Sequence, residues 1–252
     1  MTLKENLKKW LSEHGFPLEM EAASHFRSAG FDVRQGSVVL DEQEGKSREI
    51  DILAEDPDVY GSVEISCVIE CKSSKAHPWV VFVADDVLSN YRNINAFCLS
   101  SPHAKEAMAK AFRAGGDMKE LLPRGAACGY AFKQALGSTD HAYSASVSVL
   151  KACSVISSSV RDTPNAKHLK FAFPIIVVDA PLFECSRSDS GELVLREVQV
   201  SEFLYTAYVP EFAGCCIKVV KIGALASVAE EYKITANILR NLFEADALFS
   251  AL

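Results

Sequence analysis

Val68-Ile69-Glu70-Cys71-Lys72-Ser73-Ser74 decides how this chain is read. The run before it, Val63-Glu64-Ile65-Ser66-Cys67-Val68-Ile69, has the apolar and β-branched character of a buried strand. Such a strand has no reason to end on two charges unless they pair or hold something, because an unpaired buried charge is costly. Side chains at i and i+2 of a strand share a face, so Glu70 and Lys72 point together and Cys71 points away.

Upstream, Arg48-Glu49-Ile50-Asp51-Ile52-Leu53-Ala54 alternates as a strand should, after the polar turn Asp41–Ser47. Pairing of this strand with the one ending at Lys72 would stand Asp51 beside Glu70. Two adjacent carboxylates repel and raise one another's pKa. A hard divalent cation relieves this, and magnesium needs only one or two carboxylates because it keeps several waters. The backbone carbonyl of Cys71 offers a further oxygen. Mg²⁺ or Mn²⁺ held there would activate water and offset phosphoryl charge, with Lys72 orienting the water or stabilising the transition state. These residue types at this spacing match metal-assisted phosphodiester hydrolysis.

The flanking chain supplies more elements. Residues 2–13 form an amphipathic helix with Leu3, Leu7, Trp10 and Leu11 on one face. A second helix from Pro17 to Ala29 carries the stripe Leu18, Ala22, Phe26 and Ala29, and Gly30 ends it. Phe31–Leu40 is extended. Asp56-Pro57-Asp58 reads as a turn before a strand at 62–72. From Pro78 to about residue 120 the pattern reads as helix and loop, with Trp79 and Phe82 in the core. Asp140–Ser159 reads as a long helix. Phe171–Val178 is a strand buried on both faces, with Pro174 placing its start at Ile175. Residues 191–198 alternate as an outer strand, 217–222 as another, and 223–247 read as helix. The class is α/β.

In this order, helix glutamate, Gly-Phe, Arg-Glu-Ile-Asp and Ile-Glu-Cys-Lys, the chain resembles the PD-(D/E)xK nuclease superfamily, in its restriction-endonuclease-like, Mrr-like bacterial branch. The matching stretches are PLEMEAASHFRSAGFDV (17–33), GKSREIDILA (45–54) and VIECKSSKAHPW (68–79). The resemblance covers roughly the first 80 residues, with Ile50-Asp51 where the motif has Pro-Asp. It implies a mixed central sheet flanked by helices, with a helical elaboration. As a single domain over 1–252, the core would occupy about 15–85 and 140–185, a helical insertion about 85–140, and a strand-helix extension about 186–252. It further implies Asp51 and Glu70 as metal ligands, Lys72 as the catalytic lysine, and Glu19 completing the metal shell. Helical geometry favours Glu19 over Glu21, because Glu19 shares a face with Ala22 and Phe26. Arg48, Ser73 and Ser74 are candidate substrate contacts. The implied partner is nucleic acid, DNA first, in restriction, repair or phage defence. A homodimer joining two sites is a further reading.

Composition sets limits on this. The chain has 252 residues, 49 % hydrophobic and 23 % charged, enough for one large domain. Its formal net charge is −7, whereas a protein gripping nucleic acid usually shows a basic field. That favours the alternative of a non-catalytic binding or scaffold module with a nuclease fold. The most basic stretch is Lys105, Lys110, Arg113, Lys119 and Arg124, read as a solvated helix face. The eight cysteines form no CxxC pair, so zinc spacing is absent, and Cys215-Cys216 reads as buried free thiols. His77, His103, His141 and His168 have no ligand spacing. The first fifteen residues have no apolar signal-peptide core and no apolar run reaches membrane-spanning length, so a cytoplasmic protein without membrane contact is expected.

Overall fold

The structure is a computed structural model describing residues 2–12, 14–41, 45–57, 63–74, 77–85, 87–88, 96–113, 128–137, 139–159, 168–208 and 212–249. Among these residues the chain order is α1 (Leu3–Ser12), α2 (Phe16–Ser28), β1 (Asp32–Asp41), β2 (Lys46–Asp56), β3 (Val63–Lys72), β4 (Trp79–Ala84) and β5 (Leu99–Ser100). Then come α3 (Pro102–Arg113), β6 (Cys128–Gln134), α4 (His141–Ser158), β7 (Leu169–Val178), β8 (Leu182–Arg187), β9 (Leu193–Val198), β10 (Val200–Tyr208), β11 (Phe212–Lys221) and α5 (Leu225–Phe249). This is an α/β protein with one mixed sheet of eleven strands and five α-helices among the described residues. The order is β1-β2-β3-β7-β11-β10-β6-β4-β8-β9, with β5 added to β7.

Both faces of the sheet are buried. One face packs Leu18, Ala22 and Phe26 of α2, Ala104 and Met108 of α3, and Val228, Ala236 and Phe243 of α5 against Ile65, Ile69 and Phe171. The other packs Ala145, Val149 and Cys153 of α4 against Val68, Ala172 and Ile176. Strand β7 lies between these layers and is buried along its whole length, as its apolar run requires.

Pro174 does not shorten β7, which starts at Leu169 instead of Ile175. On one side of β7 the partner is β3, including Val68 opposite Pro174. On the other side the partner changes at the proline: β5 pairs Phe171 and Ala172, and β11 begins only at Ile175. The missing N–H thus falls at a break in pairing, where proline is tolerated.

The stretch after Pro78 holds the expected helix only at α3 and opens on a strand instead. It forms β4, and the segment expected as a helical insertion also contributes β5 and β6. The run Trp79–Ala84 carries a strand signal that was overlooked, β5 has only two residues, and Gly129 sits inside β6 where an added methyl would overlap Val81 and Phe203. Residues 186–252 do not simply extend the core from outside: β10 and β11 enter the middle of the sheet and α5 covers one face. The outer-strand expectation for 191–198 holds, since β9 is the sheet edge and is mostly exposed. Asp56 belongs to β2 and is not a turn residue. Its side chain is fully buried and paired with Lys233 and Arg240 of α5.

Helix α2 forms as its stripe dictates, with Gly30 at φ 85° allowing the exit. Helix α1 also forms, but Leu3, Leu7, Trp10 and Leu11 remain exposed. No helix among the described residues is long and apolar enough to cross a membrane.

Candidate active site

Strands β3 and β7 run parallel from Val63↔Leu169 to Lys72↔Val178, so their carboxyl ends lie side by side. In open α/β sheets this is where ligands usually bind. Antiparallel β2 brings its first half to the same end. Its ladder with β3 stops at Ile52↔Ile69. One residue beyond, Asp51 turns its carboxylate inward, and Oδ2 accepts a hydrogen bond from the Cys71 backbone N–H at 2.8 Å. A hydrogen bond to a charged group contributes about 1.5–3 kcal/mol.

The bend at Asp51 has a local cause. Strand β1 pairs Gln35 with Ile52 and Ser37 with Ile50, and between them Gly36 takes φ 61°. Simple alternation fails there: Ile50 and Leu53 face one core layer, Ile52 and Ala54 the other. Only glycine adopts this φ without strain.

Glu70 and Lys72 share a face, as their spacing requires. Lys72 Nζ meets Glu70 Oε1 at 2.5 Å, with the side chains 28 % and 10 % exposed. Ser148 on α4 also donates to Glu70. Cys71 points the other way into the α2 layer. Glu19 is half-buried in the first turn of α2, whereas Glu21 is exposed, so Glu19 lies on the inward side of the helix.

Electrostatics join these groups. Burial raises the pKa of Glu70, with Asp51 adding to the rise and Lys72 opposing it. Burial also raises Asp51, opposed by the Cys71 N–H and Lys72 and reinforced by Glu49. Glu19 is raised by burial, then by Asp51, Glu49 and Glu70. Asp51, Glu70 and Glu19 thus act on one another and on Lys72 electrostatically, and the exposed Glu49 adds to the rise at Asp51 and Glu19.

Glu49 was missed from the sequence, although it stands two residues before Asp51 on the same strand. Its Oε1 lies 3.4 Å from where a Cβ on Gly36 would sit. Asp179 was missed too. It follows β7, and its carboxylate accepts from Ser73 Oγ at 2.6 Å and Ser74 N–H at 2.7 Å. Asp179 thus fastens the chain leaving Lys72 to the end of β7, and both serines are turned toward it. No motif marked Asp179, because its role depends on the β3–β7 pairing.

Other candidates fall elsewhere. Arg48 is half-buried on β2 opposite Val39. Trp79 is fully buried and stacked on Phe132 with ring centroids 5.2 Å apart, as a core residue. His77 is half-buried with its ring against Gly137. Of the basic run, Lys110 pairs with Glu106 at 3.1 Å, and Lys119 and Arg124 lie outside the described residues. All eight cysteines are free and buried.

Among the described residues, no group of three or more His, Cys, Asp or Glu side chains is arranged to hold a metal ion, so any ion here would rest on fewer side chains together with backbone and water oxygens. The donor set is all hard oxygen, from Asp51, Glu70, Glu19 and the Cys71 carbonyl. That suits magnesium, which takes one or two carboxylates and retains water, and does not suit zinc. The pKa values, raised first by burial and then by neighbouring carboxylates, are the second sign of fit, since a cation would stabilise the charged forms. Comparison with family models, characterised proteins and solved structures finds no match to the chain.

Proposed function

We propose that this chain is a metal-dependent endonuclease-like enzyme that hydrolyses phosphodiester bonds, DNA first, on a restriction-endonuclease-like core. The observation that supports the reading is the placement of Asp51, Glu70 and Lys72 at the carboxyl end of β3, with Glu19 of α2 electrostatically coupled to them. Asp51 and Glu70 would hold the ion, with the Cys71 carbonyl and Glu19 in support. When bound, Mg²⁺ or Mn²⁺ supplies Lewis acidity that acidifies water and offsets charge on a phosphoryl oxygen.

The chain's own groups do the rest. The Cys71 N–H fixes Asp51 through Oδ2, so an ion would be taken by Oδ1. Glu70 holds the Lys72 ammonium, which orients the attacking water and stabilises charge as it grows on the phosphoryl oxygens. The water oxygen forms the new bond to phosphorus and gives up a proton to solvent, the ester P–O bond breaks, and the leaving oxygen takes a proton from solvent. Asp179 keeps Ser73 and Ser74, and so the Lys72 backbone, in place.

The test is cleavage of plasmid and single-stranded DNA with Mg²⁺ or Mn²⁺ by wild type and Lys72→Ala. The reading expects cutting that EDTA abolishes and the substitution reduces by at least about 10²-fold, the scale of losing a transition-state donor. Cutting that survives Lys72→Ala would overturn the assignment. The formal charge of −7 favours a second reading, a non-catalytic binding or scaffold module with the same fold. Metal binding without cutting of any strand by folded wild type would support it.

A further inference from the structure

The corner between α1 and α2 carries features that the carboxylate site does not use. Trp10 is 47 % exposed and Phe16 is 50 % exposed. The Trp10 indole stacks on the His14 imidazole with centroids 4.0 Å apart and planes 29° apart. Phe16 lies 6.2 Å from Trp10 at 32°. His14 Nδ1 and the Trp10 carbonyl are 2.6 Å apart, which holds the imidazole in register. The three rings form a preorganised aromatic surface.

Two further observations indicate what this surface meets. The first is position: Gly15 separates His14 from Phe16, and Glu19 Oε1 lies 3.4 Å from where a Cβ on Gly15 would sit. The corner that carries the rings therefore lies beside Glu19. The second is charge. Helix α1 carries Lys4, Lys8 and Lys9 against Glu5 in a chain that is acidic as a whole. At helical spacing Lys4 and Lys8 flank the stripe of Leu3, Leu7, Trp10 and Leu11. Exposed rings interleaved with lysines bind single-stranded nucleic acid, because every base offers a π-face and every linkage a phosphate.

We propose that Trp10, His14 and Phe16 form a stacking platform for an unpaired nucleobase of a substrate strand, with Lys4 and Lys8 meeting its phosphates. This rests on the phosphodiesterase reading and deepens it: the preferred substrate is a strand with unpaired bases. A rigid duplex would hide the base faces that the platform takes.

The test uses the full chain in EDTA, so that no strand is cut. The protein has two tryptophans, and Trp79 is fully buried, so quenching of exposed indole emission reports Trp10. A short oligothymidylate should quench it, and an abasic oligomer of equal length should bind about tenfold more weakly, the scale of one lost stack. Trp10→Ala should weaken oligothymidylate binding about tenfold by anisotropy. Trp10→Phe keeps a ring, so it should bind like wild type. Circular dichroism checks that each variant folds, and Phe16→Leu provides an independent variant on α2.

Equal affinity of wild type, Trp10→Ala and Phe16→Leu for oligothymidylate would overturn the proposal. So would equal binding of abasic and thymidine strands, quenching by anionic vesicles in place of strands, or self-association through Trp10. Trp10-dependent binding without Mg²⁺-dependent cutting would sink the enzyme reading and leave the platform. Cutting of single strands unaffected by Trp10→Ala would do the reverse.

Discussion

Asp51 illustrates what one side chain contributes here. Its carboxylate caps the Cys71 N–H where the β2–β3 ladder ends, yet it is held among other carboxylates. Asp51→Asn keeps an oxygen to accept that hydrogen bond and removes the charge. In EDTA this variant should be as stable as wild type or more so, by up to about 1 kcal/mol, or roughly 2–4 °C in melting temperature for a chain of this size. A scan showing a large loss of stability would mean that the charge itself supports the fold. Such sites trade stability for chemistry, which is why repelling carboxylates point to function. The motif residues were legible because strand period places Glu70 with Lys72 and helix period places Glu19 inward. Glu49 was not legible by period, because simple alternation fails at Asp51. Asp179 was not, since nothing local marks an aspartate whose partners are 105 and 106 residues away in the chain.

Helix α4 shows how an element is held at the site's back. Asp140 caps it, accepting from the Ala142 N–H at 3.1 Å while Lys133 Nζ approaches at 2.6 Å. Burial pushes the Asp140 pKa up, but bonds from Lys133, Ala142 and Gln134 outweigh it and hold the carboxyl below its usual range. A depressed folded pKa gives stability that is present above the unfolded value near ~4 and lost as pH falls through the folded value. Asp140→Ala should therefore cost about 1 kcal/mol at neutral pH, the usual value of an N-cap. The difference from wild type should shrink in acid, measured by urea unfolding at both pH values. An unchanged difference would show that the charge of Asp140 plays no part. The helix was legible from its small and apolar residues with Asp140 ahead of it. Strand β4 was legible in its run of valine and aromatic residues and was overlooked, whereas Gly129 weakens the pattern of β6.

At the scale of the molecule, the late segments close a sheet that the early ones begin. Strands β10 and β11 lie between β7 and β6, and α5 returns to pack beside α2. Asp56 on β2 binds Lys233 and Arg240 of α5, and Lys233 also donates to the Gly30 carbonyl at 3.1 Å. Removing the acid leaves two largely buried cations uncompensated, so Asp56→Ala should cost about 3–5 kcal/mol, read by denaturant midpoint. A cost under about 1 kcal/mol would mean the cluster is solvated in practice. Sequence reading recovered the class and the outer strand, but strand order beyond β3 is a long-range property that neither period nor composition encodes.

The claim on which the account stands is that the carboxylates at the end of β3 hold a divalent ion. Titration calorimetry with Mn²⁺ tests it directly. The account expects a single site in wild type, lost in Asp51→Asn and Glu70→Gln and kept in Lys72→Ala. Absence of binding to folded wild type, or binding that Asp51→Asn leaves unchanged, would contradict it.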